Sequence, residues 1–424
     1  MSFSTLNEWL EFQQGINPKE IDLSLDRVQT LYNKLQINIP KKNVFLIGGT
    51  NGKGTTTSIL EQLFCKKGYK TGAFTSPHLT QYNERVRINL NNSFDQDWVS
   101  AFEIIEAVRG DVSLTYFEFS TLAAFQILSN HDCDAWFIEV GLGGRLDATN
   151  IIESSVSVLT SIAMDHEEWL GDSIDKIAKE KVGIAKRNRP LIFGDVVAMD
   201  VIQAGSLEKG SELRKKGEDF NGHIDEGHYF FNGANQSIEG IVLPKSWGDG
   251  EIDNLTTALA AMEANEQIFP TNDLLQEVID EFILPGRFEL LDLHHRWILD
   301  VAHNPSAAEN LRQRIDRSNF KLDYSMIFSM MKDKHLELYL NAFKDLVDTW
   351  IICEMETERS FRVKQIESKM SNMGISNIYC ARSPVDAIKT LEKNVSISNN
   401  VIVSGSFELV GPIREYLLNS QGKI

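Results

Sequence analysis

The first stretch that could do chemistry is a glycine-rich loop after an apolar run, VFLIGGTNGKGTTT, at residues 44–57. A standard phosphate-binding loop reads G-x-x-x-x-G-K followed directly by Ser or Thr. Here Lys53 is followed by Gly54, and the first hydroxyl comes one residue late, at Thr55. Isoleucine occupies position 47, where the first glycine would stand. The stretch is therefore either a divergent phosphate loop or an ordinary strand-to-helix turn.

The residues on either side of this loop favour a phosphate loop. VFLI predicts a buried strand, and the apolar residues Ile59, Leu60 and Leu63 share one face of a predicted helix that ends near Gly68. Free backbone N–H groups at the start of a helix converge on an anion. Strand, glycine turn and helix in this order is the context that phosphate binding requires.

Three further stretches place potential metal ligands directly after predicted strands. They contain Ser76 with His78, Glu139, and His166 after Asp165. Taken singly, each has an ordinary structural explanation as a turn residue, a capping carboxylate or a structural imidazole. Together, a hydroxyl, a carboxylate and an imidazole beside a phosphate loop suit a Mg²⁺ ion held by few protein ligands and by substrate phosphates.

Lys181 interrupts an apolar helical stripe in the stretch SIDKIAKEKVGIAK. It lies seven residues after Ile174, on the same predicted face. One interpretation is a lysine whose ammonium extends to solvent at the edge of the stripe. The other is a lysine directed inward at the metal and phosphates, where it could be chemically modified.

The elements that must position these residues alternate between strand and helix. Strands are predicted at 134–142 and 156–163, and helices at 118–129 and 253–269. This alternation predicts an α/β protein with a mostly parallel sheet, covered on both faces, and ligands at the carboxyl ends of its strands. The polar tract from about 205 to 250 is predicted to be peripheral, with HYFFNG as the tip of a hairpin.

A domain boundary is predicted in FILPGRFELLDL, where proline and glycine separate a helical segment from a new strand. Four buried strands spaced by helices follow, in RWILDVA, DYSMIFSM, TWIICEM and NVIVSGS. They predict a second, smaller α/β domain. The expected domains are residues 1–287 and 288–424.

Composition limits the partners. The 424 residues carry a net charge of −18, with 42% hydrophobic and 24% charged residues, which disfavours nucleic acid and anionic membranes as partners. No stretch reaches the roughly 20 apolar residues of a membrane span. The start lacks a signal-peptide pattern, and the four cysteines are scattered, so that we expect a cytoplasmic protein with reduced thiols.

Nine ordered stretches resemble one known family. They are GTNGKGTT, TSPHL, ERVRIN, EVGLGGRLDATN, SIAMDHEEWLG, EKVGIAK, PGRFE, DVAHNP and SGSF. The series resembles the folylpolyglutamate synthase branch of the Mur ligases across nearly the whole chain. IDLSLDRV and LTYFEFSTLAAF resemble its bifunctional bacterial form, which is also a dihydrofolate synthase. TSPHL for the more usual SSPHL, and serine in FEFST where glycine is common, are departures at positions that carry no assigned role.

The resemblance implies a P-loop, doubly wound Mur-ligase-type ATPase domain, followed by a Rossmann-like glutamate-ligase domain. The implied catalytic residues are Lys53, Glu139, His166 and Lys181, the last as a carbamate formed with CO₂. The implied metal ligands are Ser76, Glu139 and His166. The implied ATP-binding residues are Thr50, Asn51, Gly52, Lys53, Gly54, Thr55, Asn254, Arg287 and Asp300. The implied dihydropteroate-binding residues are Ile21, Asp22, Leu23, Thr115, Tyr116, Phe117, Leu146, Asp147 and Ala148.

By the same resemblance, the expected activity is ATP-dependent amide ligation. L-Glutamate would be added to dihydropteroate and to the γ-carboxyl group of reduced folates through an acyl phosphate, with ATP as co-substrate and Mg²⁺ as metal. We expect a cytoplasmic monomer. Two alternatives stay open at this point: a folylpolyglutamate synthase without the dihydropteroate activity, and a non-catalytic ATP sensor.

Overall fold

The structure is a computed structural model that describes residues 3–17, 22, 24–265, 269–318, 320, 323–394 and 400–420. The chain forms two compact units. The N-terminal unit consists of Met1–Leu243 and Glu251–Phe282, and the C-terminal unit of Pro244–Gly250 and Ile283–Ile424. No helix in the described part of the chain is long and apolar enough to cross a membrane.

The N-terminal unit contains ten described α-helices, three short 3-10 helices and eleven described strands. The helices are α1 Leu6–Ile16, α2 Asp26–Leu35, α3 Lys53–Lys66, α4 Asp95–Arg109, α5 Tyr116–Asn130, α6 Glu167–Leu170, α7 Ile174–Lys181, α8 Met199–Lys209, α9 Asp249–Ala264 and α10 Asn272–Glu281. The strands are β1 Val44–Gly48, β2 Thr71–Phe74, β3 Val86–Ile88, β4 Asn91–Asn92, β5 Ala135–Glu139, β6 Val156–Leu159, β7 Pro190–Phe193, β8 Glu212–Lys215, β9 Asn221–Asp225, β10 His228–Asn232 and β11 Ser237–Ile241.

The main sheet has the strand order β4-β3-β2-β5-β1-β6-β7-β8. Strands β2, β5, β1, β6, β7 and β8 are parallel, and β3 and β4 add an antiparallel edge. Ile47 of β1 lies beside Glu139 of β5, and Gly48 lies beside Leu159 of β6. The carboxyl ends of these three strands therefore meet where the strand order reverses, the place where open α/β sheets bind ligands.

Helix caps fix the elements that carry the site. The N-terminus of α5 has a capping box in which Thr115 and Glu118 bond each other's backbone N–H groups. Helix α1 has a second capping box, formed by Thr5 and Glu8. Its Trp9 packs against aromatic rings of α4 and α5, with centroid distances of 5.8 Å to Phe102 and 6.4 Å to Phe119. These contacts hold α1 against the start of α5.

The tract from 205 to 250 differs from its prediction in two ways. The segment His228–Asn232 is not a hairpin tip: as β10 it is the central strand of an antiparallel sheet β11-β10-β9. Its Tyr229 and Phe231 lie on one face of the strand and are buried, and the Tyr229 hydroxyl bonds that of Thr256 in α9. The preceding β8 is a parallel edge strand of the main sheet, so this part of the tract is not peripheral.

Other predicted bounds also change. The strands expected at 134–142 and 156–163 end earlier, at Glu139 and Leu159, because the chain leaves the sheet to form the site loops. The helix expected at 253–269 spans Asp249–Ala264. Residues 266–268 of that prediction lie outside the described residues.

The C-terminal unit is a second sheet covered by helices. Its strands are β12 Glu289–Asp292, β13 Arg296–Asp300, β14 Tyr324–Phe328, β15 Val347–Cys353, β16 Ile378–Ala381 and β17 Asn400–Ser404. Its helices are α11 Pro305–Ser318, α12 Leu336–Asn341, α13 Val363–Asn372, α14 Pro384–Asn394 and α15 Phe407–Ser420. The strand order is β12-β13-β17-β14-β15-β16, parallel except for β12. The predicted fold class, a mostly parallel α/β domain followed by a smaller one, is confirmed.

Candidate active site

Two glycines of the phosphate loop, residues 48–55, are required by its geometry. Gly49 has φ +140°, and a Cβ atom there would lie 2.0 Å from Oγ1 of Thr160. Gly52 has φ +86° and directly precedes α3, and a Cβ atom there would lie 2.1 Å from Oδ1 of Asn254. Both positions combine a left-handed backbone with a close approach, which glycine alone tolerates. The loop therefore has the tight turn and open helix N-terminus of an anion-binding site.

The loop is anchored on the segment that follows β6. The backbone N–H of Thr50 donates to the carbonyl oxygen of Ser161 at 2.7 Å, and the N–H of Asn51 donates to Oγ of Ser161 at 3.0 Å. In return, Oγ1 of Thr160 donates to the carbonyl oxygen of Asn51 at 2.6 Å. These bonds rigidify the loop before any ligand binds, which reduces the entropy lost on binding.

Two lysine ammonium groups meet at the loop. Nζ of Lys53 donates to the carbonyl oxygens of Thr50 at 3.1 Å and Gly49 at 3.3 Å. Nζ of Lys181 donates to the same Gly49 oxygen at 2.8 Å. Lys181 is only 5% exposed, so its side chain points inward rather than to solvent. Burial, followed by the charge of Lys53, lowers the pKa of Lys181 to about 7.

The expected metal ligands lie next to the loop. Glu139, at the end of β5, accepts a hydrogen bond from the backbone N–H of Ser76 at 3.3 Å. Its Oε2 lies 3.9 Å from the position of a Cβ atom on Gly54. His166, with φ +52° at the start of α6, lines the same cavity as Ser76.

This donor set fits a divalent metal that also takes phosphate oxygens. The described residues contain no group of three or more His, Cys, Asp or Glu side chains arranged for a metal. A site with one carboxylate, one imidazole and one hydroxyl has to complete its coordination with ligands from the nucleotide or water. Oxygen-rich coordination of this kind is typical of Mg²⁺ at phosphate-transfer sites.

A cavity of about 660 Å³ adjoins the metal residues. Two of the residues predicted for the dihydropteroate pocket, Ile21 and Leu23, lie outside the described residues. All the other predicted pocket residues line the cavity, together with two of the predicted metal ligands: Asp22, Thr115, Tyr116, Phe117, Leu146, Asp147, Ala148, Ser76 and His166.

Arg27 holds the acidic residues at one side of the cavity. Its Nη1 donates to Oδ2 of Asp22 at 2.8 Å, and its Nε donates to Oε2 of Glu118 at 2.9 Å. Glu118 is buried and also belongs to the capping box of α5. The carboxylate of Asp22 is thereby fixed at the cavity wall.

Asp147 is fixed by its own loop. It accepts hydrogen bonds from the N–H groups of Leu142 at 2.8 Å and Thr149 at 2.9 Å and from the Thr149 hydroxyl at 2.5 Å. Burial raises the pKa of Asp147, and these hydrogen bonds oppose the rise. The neighbouring Gly141 lies under the Phe117 ring, where a Cβ atom would come within 2.4 Å of Cζ. The ring can lie against this loop only because residue 141 is glycine.

Sequence reasoning missed three buried polar residues at this cavity: Glu118, described above, Gln13 and Arg85. Gln13 of α1 is 1% exposed, and neither side-chain amide atom has a hydrogen-bond partner in the described structure. Arg85 precedes β3 and is 8% exposed. Arg85 lies in the stretch ERVRIN, so the sequence did contain a signal for this region, whereas a glutamine in an amphipathic helix offers none.

The three remaining predicted nucleotide residues occupy both units. In the N-terminal unit, Oδ1 of Asn254 accepts a hydrogen bond from Oγ1 of Thr56 at 3.5 Å, beside the phosphate loop. In the C-terminal unit, Asp300 ends β13 and accepts N–H bonds from Phe288 and Ala302, both at 2.8 Å. The guanidinium of Arg287 lies 5.4 Å from the ring centroid of Phe407. Their role in nucleotide binding stays a prediction.

Two family models match the chain. The Mur ligase middle domain matches residues 47–200, and the Mur ligase glutamate ligase domain matches residues 286–407. The first match begins at Ile47, directly before the phosphate loop, and includes the proposed metal ligands. The second begins at Gly286, next to Arg287.

Known proteins are similar over nearly the whole chain. The dihydrofolate synthase/folylpolyglutamate synthase of Escherichia coli is 35% identical, covering 98% of this chain and 96% of that protein. A structure of E. coli FolC in complex with DHPP and ADP has a TM-score of 0.92 at 35% identity and covers 99% of both chains. A bifunctional folylpolyglutamate synthase/dihydrofolate synthase with Mn, AMPPNP and L-glutamate bound has a TM-score of 0.89 at 31% identity, covering 98% of both chains. The chain therefore belongs to the dihydrofolate synthase/folylpolyglutamate synthase family of the Mur ligases.

Proposed function

We propose that the protein is an ATP-dependent carboxylate–amine ligase that adds L-glutamate to dihydropteroate and to the γ-carboxyl group of reduced folates. The observation that carries the proposal is that the cavity and the phosphate loop adjoin each other. Ser76 lines the 660 Å³ cavity and also bonds Glu139, which adjoins Gly54 of the phosphate loop. A carboxylate bound in the cavity and a phosphate bound at the loop would thus lie side by side.

ATP is the phosphoryl donor in this proposal. Similar proteins have been solved with ADP or AMPPNP bound, which supports nucleotide binding here. The phosphates would be bound by residues 50–55, where free N–H groups begin α3, and Lys53 would neutralise the transferred group. Asn254, Arg287 and Asp300 would bind the rest of the nucleotide.

A divalent metal accompanies the nucleotide, as the Mn in one similar structure supports. We propose that it is Mg²⁺ and that Ser76, Glu139 and His166 hold it. When bound, it would supply positive charge to the phosphate oxygens. The fixed Ser76–Glu139 contact would keep two of its ligands in place.

The reaction has two steps. First, an oxygen of the substrate carboxylate attacks the γ-phosphorus of ATP, and ADP leaves. The amine of L-glutamate then attacks the acyl carbon, loses a proton and expels phosphate, so that an amide forms. Lys53 and the N–H groups of the loop stabilise charge on the transferring group, and water must be excluded because it would hydrolyse the acyl phosphate.

We further propose that Lys181 is active as a carbamate. The ammonium first loses one proton. The neutral amine then attacks CO₂ and releases a second proton, so that a buried cation becomes an anion. Its lowered pKa, about 7, means that much of the amine is neutral at physiological pH. The resulting anion would then lie beside Lys53 and would remove the repulsion between the two ammonium groups.

The functional domains in this proposal are an ATP- and pteroyl-binding domain at residues 1–287 and a glutamate-ligase domain at 288–424. The family match at residues 286–407 supports the second of these. We propose that the protein works as a cytoplasmic monomer on small-molecule substrates, without nucleic-acid or membrane partners. Light scattering of the purified protein tests the oligomeric state.

Isotope transfer tests the proposed chemistry. Dihydropteroate labelled with ¹⁸O in its carboxyl group is incubated with ATP and L-glutamate, and phosphate and product are analysed by mass spectrometry. The proposal predicts that one labelled oxygen appears in phosphate for each dihydrofolate formed. Unlabelled phosphate would contradict the acyl phosphate. Turnover with a reduced folate but not with dihydropteroate would favour a folylpolyglutamate synthase without the dihydropteroate activity. ATP binding without turnover of either substrate would favour a sensor.

A further inference from the structure

The backbone of Arg85 is fixed next to the segment that carries Ser76, at the side of the cavity where we place the metal. It ends the 3-10 helix Tyr82–Arg85, and its carbonyl oxygen accepts a hydrogen bond from the backbone N–H of Thr75 at 2.9 Å. Thr75 directly precedes Ser76, which we place in the metal site. Arg85 also lines the cavity, although the residue is only 8% exposed.

Three described side chains contact the guanidinium of Arg85. Its Nε donates to Nδ1 of His78 at 3.0 Å, so this histidine nitrogen is the acceptor because a guanidinium cannot accept. The guanidinium carbon lies 5.1 Å from the ring centroid of Tyr82 and 5.8 Å from that of Tyr116. These contacts orient the group, while Nη1 and Nη2 have no acceptor among the described residues.

An almost buried cation normally has an anionic partner. Arg87, two residues along the chain, donates to the carboxylate of Glu61 at 2.6 Å, and Arg414 is paired with Glu289 at 2.8 Å. No described carboxylate forms an ion pair with Arg85. The protein thus keeps a guanidinium at the cavity wall with two donor atoms available for an anion.

The described carboxylates at the cavity already have hydrogen-bond partners within the protein. The carboxylates of Asp22 and Glu118 are paired with Arg27, and that of Asp147 accepts hydrogen bonds from its own loop. Among the described residues that line the cavity, Arg85 is the one lysine or arginine. A ligand carboxylate that enters would therefore meet three negative groups and a single permanent cation.

We propose that Arg85 binds a carboxylate of the pteroyl substrate through Nη1 and Nη2. The assignment rests on the proposed function and adds a substrate-binding residue to it. A planar fork of two N–H donors matches a carboxylate in geometry as well as in charge. The contact to His78 and the two tyrosine rings fixes the fork before the substrate arrives, so that the carboxylate is oriented toward the phosphate loop.

This contact is tested by a thermodynamic cycle in which Arg85 is changed in the protein and the carboxyl group is removed from the ligand. The full-length wild type and the variant Arg85→Gln are titrated, without nucleotide, with dihydropteroate and with an analogue that lacks the carboxyl group. Loss of the carboxylate should weaken binding to the wild type roughly 10- to 100-fold and binding to Arg85→Gln less than about threefold, the range of hydrogen bonds to charged groups. The control Arg109→Gln, which removes a guanidinium paired with Glu106 outside the cavity lining, should behave as the wild type.

The outcomes separate the two proposals. If the wild type binds dihydropteroate and Arg85→Gln keeps the wild-type preference for the carboxylate, the assignment of Arg85 is wrong and the proposed function stands. If the wild type does not bind dihydropteroate, the proposed function is itself contradicted. Should Arg85→Gln fail to fold, Arg85→Lys takes its place in the same cycle. It keeps the charge without the fork and should lose part of the preference, and a full wild-type preference would again contradict the assignment.

Kinetics identify which carboxylate is bound. Dihydropteroate has one carboxylate, whereas a reduced folate monoglutamate has two. A higher KM for both substrates in Arg85→Gln means that Arg85 binds a carboxylate at a position common to both, and a higher KM for the folate alone means that it binds the additional α-carboxylate. Unchanged KM values for both, with only kcat reduced, would overturn the proposal.

Discussion

The buried ammonium of Lys181 should make the protein less stable near neutral pH. The pKa of this lysine falls from 10.5 to about 7 on folding, mainly through burial. Between these two values the unfolded chain binds a proton at Lys181 and the folded protein does not, so this group makes stability rise with pH. At about 1.4 kcal/mol per pKa unit, the cost at pH 7 is about 4 kcal/mol, falling to about 1 kcal/mol at pH 10.

Lys181→Met removes this titration and keeps a chain of similar length. We expect the variant to be more stable than the wild type at pH 7, with a difference that shrinks by about 3 kcal/mol between pH 7 and pH 10. In the variant, the carbonyl oxygen of Gly49 loses the hydrogen bond from Lys181 but keeps the one from Lys53 at 3.3 Å. This remaining bond limits the loss of stability that the substitution causes.

Calorimetric unfolding of both proteins in CO₂-free buffer, at several pH values, measures the difference, and other titrating groups cancel in it. Bicarbonate should then stabilise the wild type alone, because only Lys181 can form the carbamate. A stability difference that does not change between pH 7 and pH 10 would refute the reasoning.

Further predictions concern activity. Lys53→Ala should lower kcat by more than about 100-fold with an unchanged circular dichroism spectrum, since its ammonium neutralises the transferred phosphate; activity within tenfold of the wild type would contradict this role. Lys181→Ala should be nearly inactive and partly restored by acetate, and ¹³C NMR with labelled bicarbonate should show a carbamate in the wild type alone. Asp22→Ala should raise the KM for dihydropteroate more than that for reduced folates; equal increases would point to its structural bond with Arg27. Gly141→Ala should displace Phe117 and raise the KM for dihydropteroate by about tenfold or more while the KM for ATP stays unchanged, because the added Cβ would lie 2.4 Å from the ring; a higher KM for ATP would show that the change spreads beyond the pocket.

Features that depend on local sequence were predicted well. The order of strand, glycine turn and helix at residues 44–66 rests on neighbouring residues, and the structure has it as β1, the loop and α3. The four strands expected in the C-terminal unit are likewise present, since each is a continuous apolar run in a parallel sheet. For Lys181, the apolar helical stripe left a solvent-directed and an inward side chain equally open, and the structure shows the inward one.

Features that depend on distant pairing were not predicted. HYFFNG has the composition of a turn next to aromatic residues, and only its pairing with β9 and β11 makes it a central strand. The polar sequence of β8 gave no sign that it joins the main sheet. Arg85 and Gln13 gain their significance from a cavity that α1 and α5 form together, and no short stretch of sequence encodes that contact.

The central claim is that ATP cleavage is coupled to amide formation in the cavity beside the phosphate loop. It is tested most directly by measuring ADP release with dihydropteroate and with a reduced folate, each with and without L-glutamate. The account predicts that rapid ADP release requires a pteroyl substrate and L-glutamate together, with one ADP for each amide formed. ADP release that proceeds at the same rate without the pteroyl substrate or without L-glutamate would contradict it.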